Sequence, residues 1–185
     1  MNAVEIKKDI YWVGVKDWNL KEFHGYSTPN GSTYNSYLIM DEKITLVDGV
    51  KHYMSHENIA RIQSLTDFSK IDYIIVNHVE MDHSGNIPEI MKLAPQAVIV
   101  TNAAGKMALE AHFDTTGWNY QIVKTGDSLN IGKRTLSFMT TPMLHWPDSM
   151  MTYVAEDKLL LSNDGFGQHY ATDALFVKEA PFDCV

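Results

Sequence analysis

The chain is short of cysteine, of positive charge and of long apolar runs, and each shortage excludes something. A single cysteine, Cys184, forbids an internal disulfide. Lys and Arg number 15 against 23 Asp and Glu, giving a formal net charge of −8. Such an acidic balance argues against non-specific binding to nucleic acid or to an anionic membrane surface. No apolar stretch approaches membrane-spanning length, and the opening residues from Met1 to Lys8 carry no secretory apolar segment. A cytoplasmic location is the expectation that follows. No Pro- or Gly-rich linker interrupts the 185 residues. One domain, residues 1–185, is therefore expected, large enough for a real core.

The composition is that of a globular protein, 45% hydrophobic, with eight histidines of which several stand beside carboxylates. That adjacency, more than the count, directs attention to metals. Strands are expected over 5–15, 34–40, 44–47, 71–77 and 97–101. Helices are expected after Ser55, with Ile59, Ile62 and Leu65 on one face, near Ile87-Pro88, and over 102–112. Residues 16–32 and 78–85 read as loops. From Tyr120 the pattern turns to short strands around 121–123, 129–131, 136–140, 151–155 and 158–161. A mixed sheet with helices on its outer face is expected through about Gly117, and a second sheet after it.

The segment His78-Val79-Glu80-Met81-Asp82-His83 leaves the end of a predicted parallel strand, where open α/β sheets place their sites. His78 and Glu80 alternate, so an extended backbone turns both to one side. Four potential ligands in six residues would be costly to bury without a cation. His145 stands just past a predicted strand, between Pro142 and Pro147, and Asp164 just past the next one. Alone, either residue reads more readily as a cap or a turn. After the first segment, and in this order, both read as ligands.

The order His-x-Glu-x-Asp-His, then His, then Asp resembles the flavodiiron proteins (A-type flavoproteins) of the metallo-β-lactamase superfamily. The flanking text is similar too, in Asp17-Trp18, Phe23-His24-Gly25, residues 32–38, 123–127, 145–150 and 166–170. The resemblance implies an α/β fold, a metallo-β-lactamase-like αββα sandwich, incomplete at its C-terminal side. It implies two non-haem irons. His78, Glu80 and His145 would bind one; Asp82 and His83 would belong to the other, with Asp164 bridging. No catalytic residue beyond these ligands is implied. His24 and Asp48 are candidates for a supporting place beside the metals. The implied reaction is reduction of NO to N2O, or of O2 to water, with electrons from FMN and a rubredoxin-type donor. Glu80 stands where the hydrolases of the superfamily typically carry His, and a hard anionic oxygen favours iron or manganese over zinc.

Two family features have no counterpart. Only residues 165–185 follow Asp164, without the family's last ligating histidine; His169 comes too soon and falls in non-ligand text. A flavodoxin-like FMN domain and paired Cys-x-x-Cys motifs are also missing. The chain by itself is therefore expected to be inactive and to need either the missing C-terminal portion or a second copy. The alternatives are a binuclear metallohydrolase, whose nucleophile would be a metal-bound hydroxide, and a non-catalytic metal-binding fragment.

Overall fold

The computed structural model describes residues 2–180; Cys184 falls outside them. In chain order the strands begin with β1 (Val4–Lys7), β2 (Ile10–Trp12), β3 (Val15–Asp17), β4 (Glu22–Phe23), β5 (Tyr26–Ser27), β6 (Ser32–Tyr34), β7 (Tyr37–Ile39) and β8 (Ile44–Val47). Helix α1 (Ser55–Gln63) leads to β9 (Ile71–Ile75), and α2 (Met81–Ser84) with α3 (Ile87–Leu93) leads to β10 (Val98–Thr101). Helix α4 (Ala103–His112) leads to β11 (Asn119–Ile122). The rest is β12 (Ser128–Asn130), β13 (Thr135–Thr140), β14 (Met150–Val154) and β15 (Leu159–Leu161).

Seven strands form one sheet in the order β1-β2-β7-β8-β9-β10-β11. Strands β8 to β11 run parallel, each joined to the next through helix. Neighbouring residues on these strands serve opposite faces. Leu46, Ile74 and Ile99 pack against the helices with Ile62, Ile90 and Leu109. Val47, Ile75 and Val100 pack the other way, against Leu136, Phe138 and Val154 of the second sheet. Burial on both faces is why these strands read as continuous apolar runs. The second sheet has the order β12-β13-β14-β15 and is antiparallel throughout. Its inner face closes the core between the sheets, while Met139, Tyr153 and Leu160 are exposed on the other face. The layers are thus helices, first sheet, second sheet. Among the described residues no α-helix follows β11.

Several local expectations are corrected. Residues 16–32 contain the short strands β4 and β5 and overlap the ends of β3 and β6, and His24 and Gly25 turn β4 into β5 with φ of 49° and 81°, as a tight hairpin requires. The run 34–40 is broken at Asn35 and Ser36. There Trp12 Nε1 donates to Asn35 Oδ1 at 3.0 Å, and Val13 N–H donates to the Ser36 carbonyl at 2.8 Å. Ser55 is the first residue of α1 and not its cap; its hydroxyl donates to Glu89. Residues 81–84 are one turn of helix, where a loop was expected. Strand β11 belongs to the first sheet, in register with β10, so the second sheet starts only at β12. A third parallel crossover through α4 carries the chain back to the first sheet, and local pattern alone does not distinguish that from a new sheet.

Candidate metal centre

The loops after β9, β13 and β15 meet at one end of the space between the sheets. His78 is 1% exposed and Glu80 5% exposed, and His78 Nε2 lies 3.2 Å from Glu80 Oε2. His145 comes from the second sheet, with its Nε2 2.9 Å from the same Glu80 oxygen. Its backbone sits at φ 99°, a conformation costly for a residue with a Cβ and found where the surroundings impose it. The Met143 N–H donates to the Trp146 carbonyl at 2.9 Å and so closes the loop that imposes it. Asp164 completes the group: donor atoms of His78, Glu80, His145 and Asp164 all lie within 4.8 Å of one another.

Asp82 and His83, carried on α2, form a second group. His83 Nε2 is 3.5 Å from Asp82 Oδ2 and 2.8 Å from Asp164 Oδ1. The other Asp164 oxygen faces the first group, 3.6 Å from His145 Nε2 and 3.9 Å from His78 Nε2. One carboxylate thus presents one oxygen to each cluster. The backbone packs α2 closely against the end of β8. Gly49 N–H donates to the His83 carbonyl at 2.6 Å, and a Cβ on Gly49 would lie only 3.0 Å from that oxygen.

Asp82 Oδ1 and both ring nitrogens of His83 are buried without a hydrogen bond. The short His83–Asp164 approach is an ion contact lying off the hydrogen-bonding direction. Buried polar atoms in that state call for a partner. Three imidazoles and three carboxylates aimed at two adjacent points fit two divalent or trivalent cations of intermediate to hard character.

Without metal, protons balance the charge. Burial opposes a charged His78 ring, but hydrogen bonds to Asp148 and Glu80 outweigh it and raise the ring to about 10. Burial likewise opposes charge on His83, and Asp164 and Asp82 lift it to about 9. Glu80 is held well below the usual carboxylate range, its burial overcome by bonds from His78, His145 and His24. Asp164 is lowered against burial by His83 and His78. Asp82 alone of the three carboxyls is raised, chiefly by burial, with Asp164 and Glu80 adding repulsion against the opposing charge of His83.

Both supporting candidates lie at the site. His24 Nε2 meets Glu80 Oε1 from the β4–β5 turn. Asp48 is 2% exposed and binds no ligand histidine; it accepts from Asn77 and Asn163. Burial raises its carboxyl. Asp148 escaped sequence reasoning. Its Oδ2 accepts from Val79 N–H at 2.7 Å and lies 3.0 Å from His78 Nδ1, which fixes the ring and turns Nε2 to the pocket. The available signal was a carboxylate three residues past a suspected ligand in a proline-flanked loop. His52, His56 and His112 are exposed and do not line the pocket. The pocket is an open cavity of about 540 Å3, whose mouth is rimmed by Tyr26, Trp146 and Phe166.

Residues 33–183 match the family model described as ODP family beta lactamase. A nitric oxide reductase of Moorella thermoacetica is 51% identical over 94% of this chain and 44% of its own length. The flavodiiron protein of Giardia intestinalis superposes with a TM-score of 0.95 at 41% identity, covering 97% of this chain and 44% of that one. Rubredoxin oxygen:oxidoreductase of Desulfovibrio gigas gives 0.94 at 44% identity, covering 97% and 45%. The chain spans less than half the length of these relatives.

Proposed function

The chain belongs to the ODP beta-lactamase family, as the metallo-β-lactamase-like domain of a flavodiiron protein, and from that premise we propose that residues 1–185 form the diiron domain of an NO or O2 reductase. The observation that carries the proposal is Asp164, whose two oxygens face two separate clusters of donors. In this arrangement His78, Glu80 and His145 would hold one iron and Asp82 and His83 the other, with Asp164 shared between them. Irons held there would pass electrons to the substrate: two electrons and two protons convert two NO to N2O and water, while O2 to two waters takes four electrons and four protons, the further two electrons coming from FMN.

The protein's own residues prepare the place for that chemistry. Asp148 fixes the tautomer and direction of His78. His24 meets one oxygen of Glu80 and His145 the other, from different loops, and together they orient the carboxylate. Trp146, edge-on to His78 at 5.3 Å between ring centroids, covers one side of the pocket. Tyr26, Trp146 and Phe166 are exposed at the mouth, and Met143 and Leu144 are exposed on the loop that carries His145. An apolar rim of this kind suits coverage by another domain. We assign it to an FMN-bearing flavodoxin-like portion, from the same protein or a second copy, itself reduced by a rubredoxin-type donor. The proposal places the protein in the cytoplasm. No helix among the described residues is long and apolar enough to cross a membrane.

Metal analysis of protein purified from iron-supplemented cells, together with its visible spectrum, tests the assignment. Two irons per chain are expected. Two zincs would favour a metallohydrolase, and a chain that takes up no metal would refute the centre altogether.

A further inference from the structure

Asp164 and His78 lie on loops of different sheets, and a shared carboxylate works only if its two oxygens stay in place to within about half an ångström. A continuous polar chain links the residues that precede them. Asn77, immediately before His78, donates its backbone N–H to Asp48 Oδ1 at 2.7 Å and its side-chain amide to Asp48 Oδ2 at 2.9 Å. Asn163, immediately before Asp164, donates its Nδ2 to the same Asp48 Oδ2 at 3.1 Å. The other end of the Asn163 amide, Oδ1, accepts the Asp164 N–H at 2.8 Å. Thr152 of β14 ties the second sheet to Asn77 Oδ1 at 2.7 Å. Asn163 itself sits at φ 50°, in the left-handed region, which Asn visits more readily than most residues with a Cβ.

We propose that Asn163 is a positioning residue, whose side chain transmits the place of buried Asp48 to Asp164 and so sets where the shared carboxylate stands between the two donor clusters. The inference rests on the two-metal reading of the pocket. It uses both ends of one amide, the NH2 donating to Asp48 and the oxygen accepting the Asp164 N–H, on a side chain that tolerates this backbone. Asp at 163 would keep the acceptor but set a second carboxylate against Asp48. Gly would keep the backbone and lose both bonds. Neither change touches a ligand.

The test is anaerobic Fe(II) titration of the intact protein and of Asn163→Gly, Asn163→Ala and Asn163→Asp, with thermal unfolding of each metal-free form. The first iron is expected to bind within about threefold of wild type. The second is expected to bind at least tenfold more weakly in all three variants, most weakly in Asn163→Asp. In the one-electron-oxidised pair, the coupled Fe(II)–Fe(III) paramagnetic resonance signal should give way to that of isolated Fe(III). An Asn163→Gly variant that binds both irons as wild type would overturn the proposal, because the residue would then serve only its backbone conformation. Parallel loss of both irons with a fall in unfolding temperature would overturn it too, as a structural role. A wild-type protein that binds fewer than two irons would refute the two-metal reading and the inference with it; two irons in wild type and in every variant, with unchanged affinity and coupling, would refute the inference alone.

Discussion

Loading this centre with metal should release about two protons per chain near neutral pH. His78 is raised to about 10 and His83 to about 9, so at pH 7 nearly every metal-free molecule carries both protons. Metal needs the neutral imidazoles, so both protons must leave. Glu80 and Asp164 are lowered and already ionised, and they add almost nothing to the count; Asp82, raised chiefly by burial, adds only the fraction of a proton it still holds at the working pH. Affinity for the pair should therefore rise by about a hundredfold per pH unit between roughly pH 6.5 and 8, flattening as the rings lose their protons on their own. Stability follows from the same shifts. Folded-state values above the ordinary 6.5 mean that these histidines stabilise the metal-free fold fully below that pH. Their contribution is lost as pH rises through about 9 to 10. The metal-loaded form has no such loss, so the gap between the two unfolding temperatures should widen toward alkaline pH. Anaerobic calorimetric titration with Fe(II) in two buffers of different ionisation heat counts the protons. Release of fewer than one proton, or affinity independent of pH over that interval, would show that the rings are neutral before metal arrives and that the charge balance drawn here is wrong.

Asp148→Asn removes the carboxylate behind His78 and should weaken metal binding about ten- to a hundredfold, while the ring titrates nearer its ordinary value; histidine resonances followed against pH would show both, and an unmoved titration would remove Asp148 from its place. Glu80→His supplies nitrogen in place of a hard anionic oxygen and should move metal preference from iron toward zinc, read by competition between the two ions. Unchanged iron loading would count against Glu80 as a ligand. Phe138→Ala opens a cavity between the sheets and should cost about 3–5 kcal/mol of stability in denaturant unfolding, without touching the pocket. Purified 185-residue chain should carry no FMN and should not turn over NO or O2 when given a reduced rubredoxin-type donor; stoichiometric flavin on it would contradict the assignment of the electron source to another portion.

Much of the centre was legible because its chemistry is carried by local text. His78, Glu80, Asp82 and His83 fall within six residues at a strand end, and period-2 alternation already turns the first two to one side. The double apolar runs at Leu46-Val47 and Ile74-Ile75 announce strands covered on both faces. The tertiary structure alone decided what lies across the gap. Asp148 reaches His78 over 70 positions, and Asn163 reaches Asp48 over 115. Such partners leave no periodic trace, since a hydrogen bond depends on where two backbones meet and not on the residues between them. The same holds for His24, which the sequence leaves equally readable as an exposed loop histidine or a neighbour of the metals until the β4–β5 turn brings it onto Glu80. It holds for β11, whose sheet depends on where α4 delivers it. By itself the sequence determined which groups are present and which strand ends carry them. The meeting of two sheets decided which oxygen faces which ring, because the clusters approach only once the core between Val47, Ile75 and Phe138 has closed.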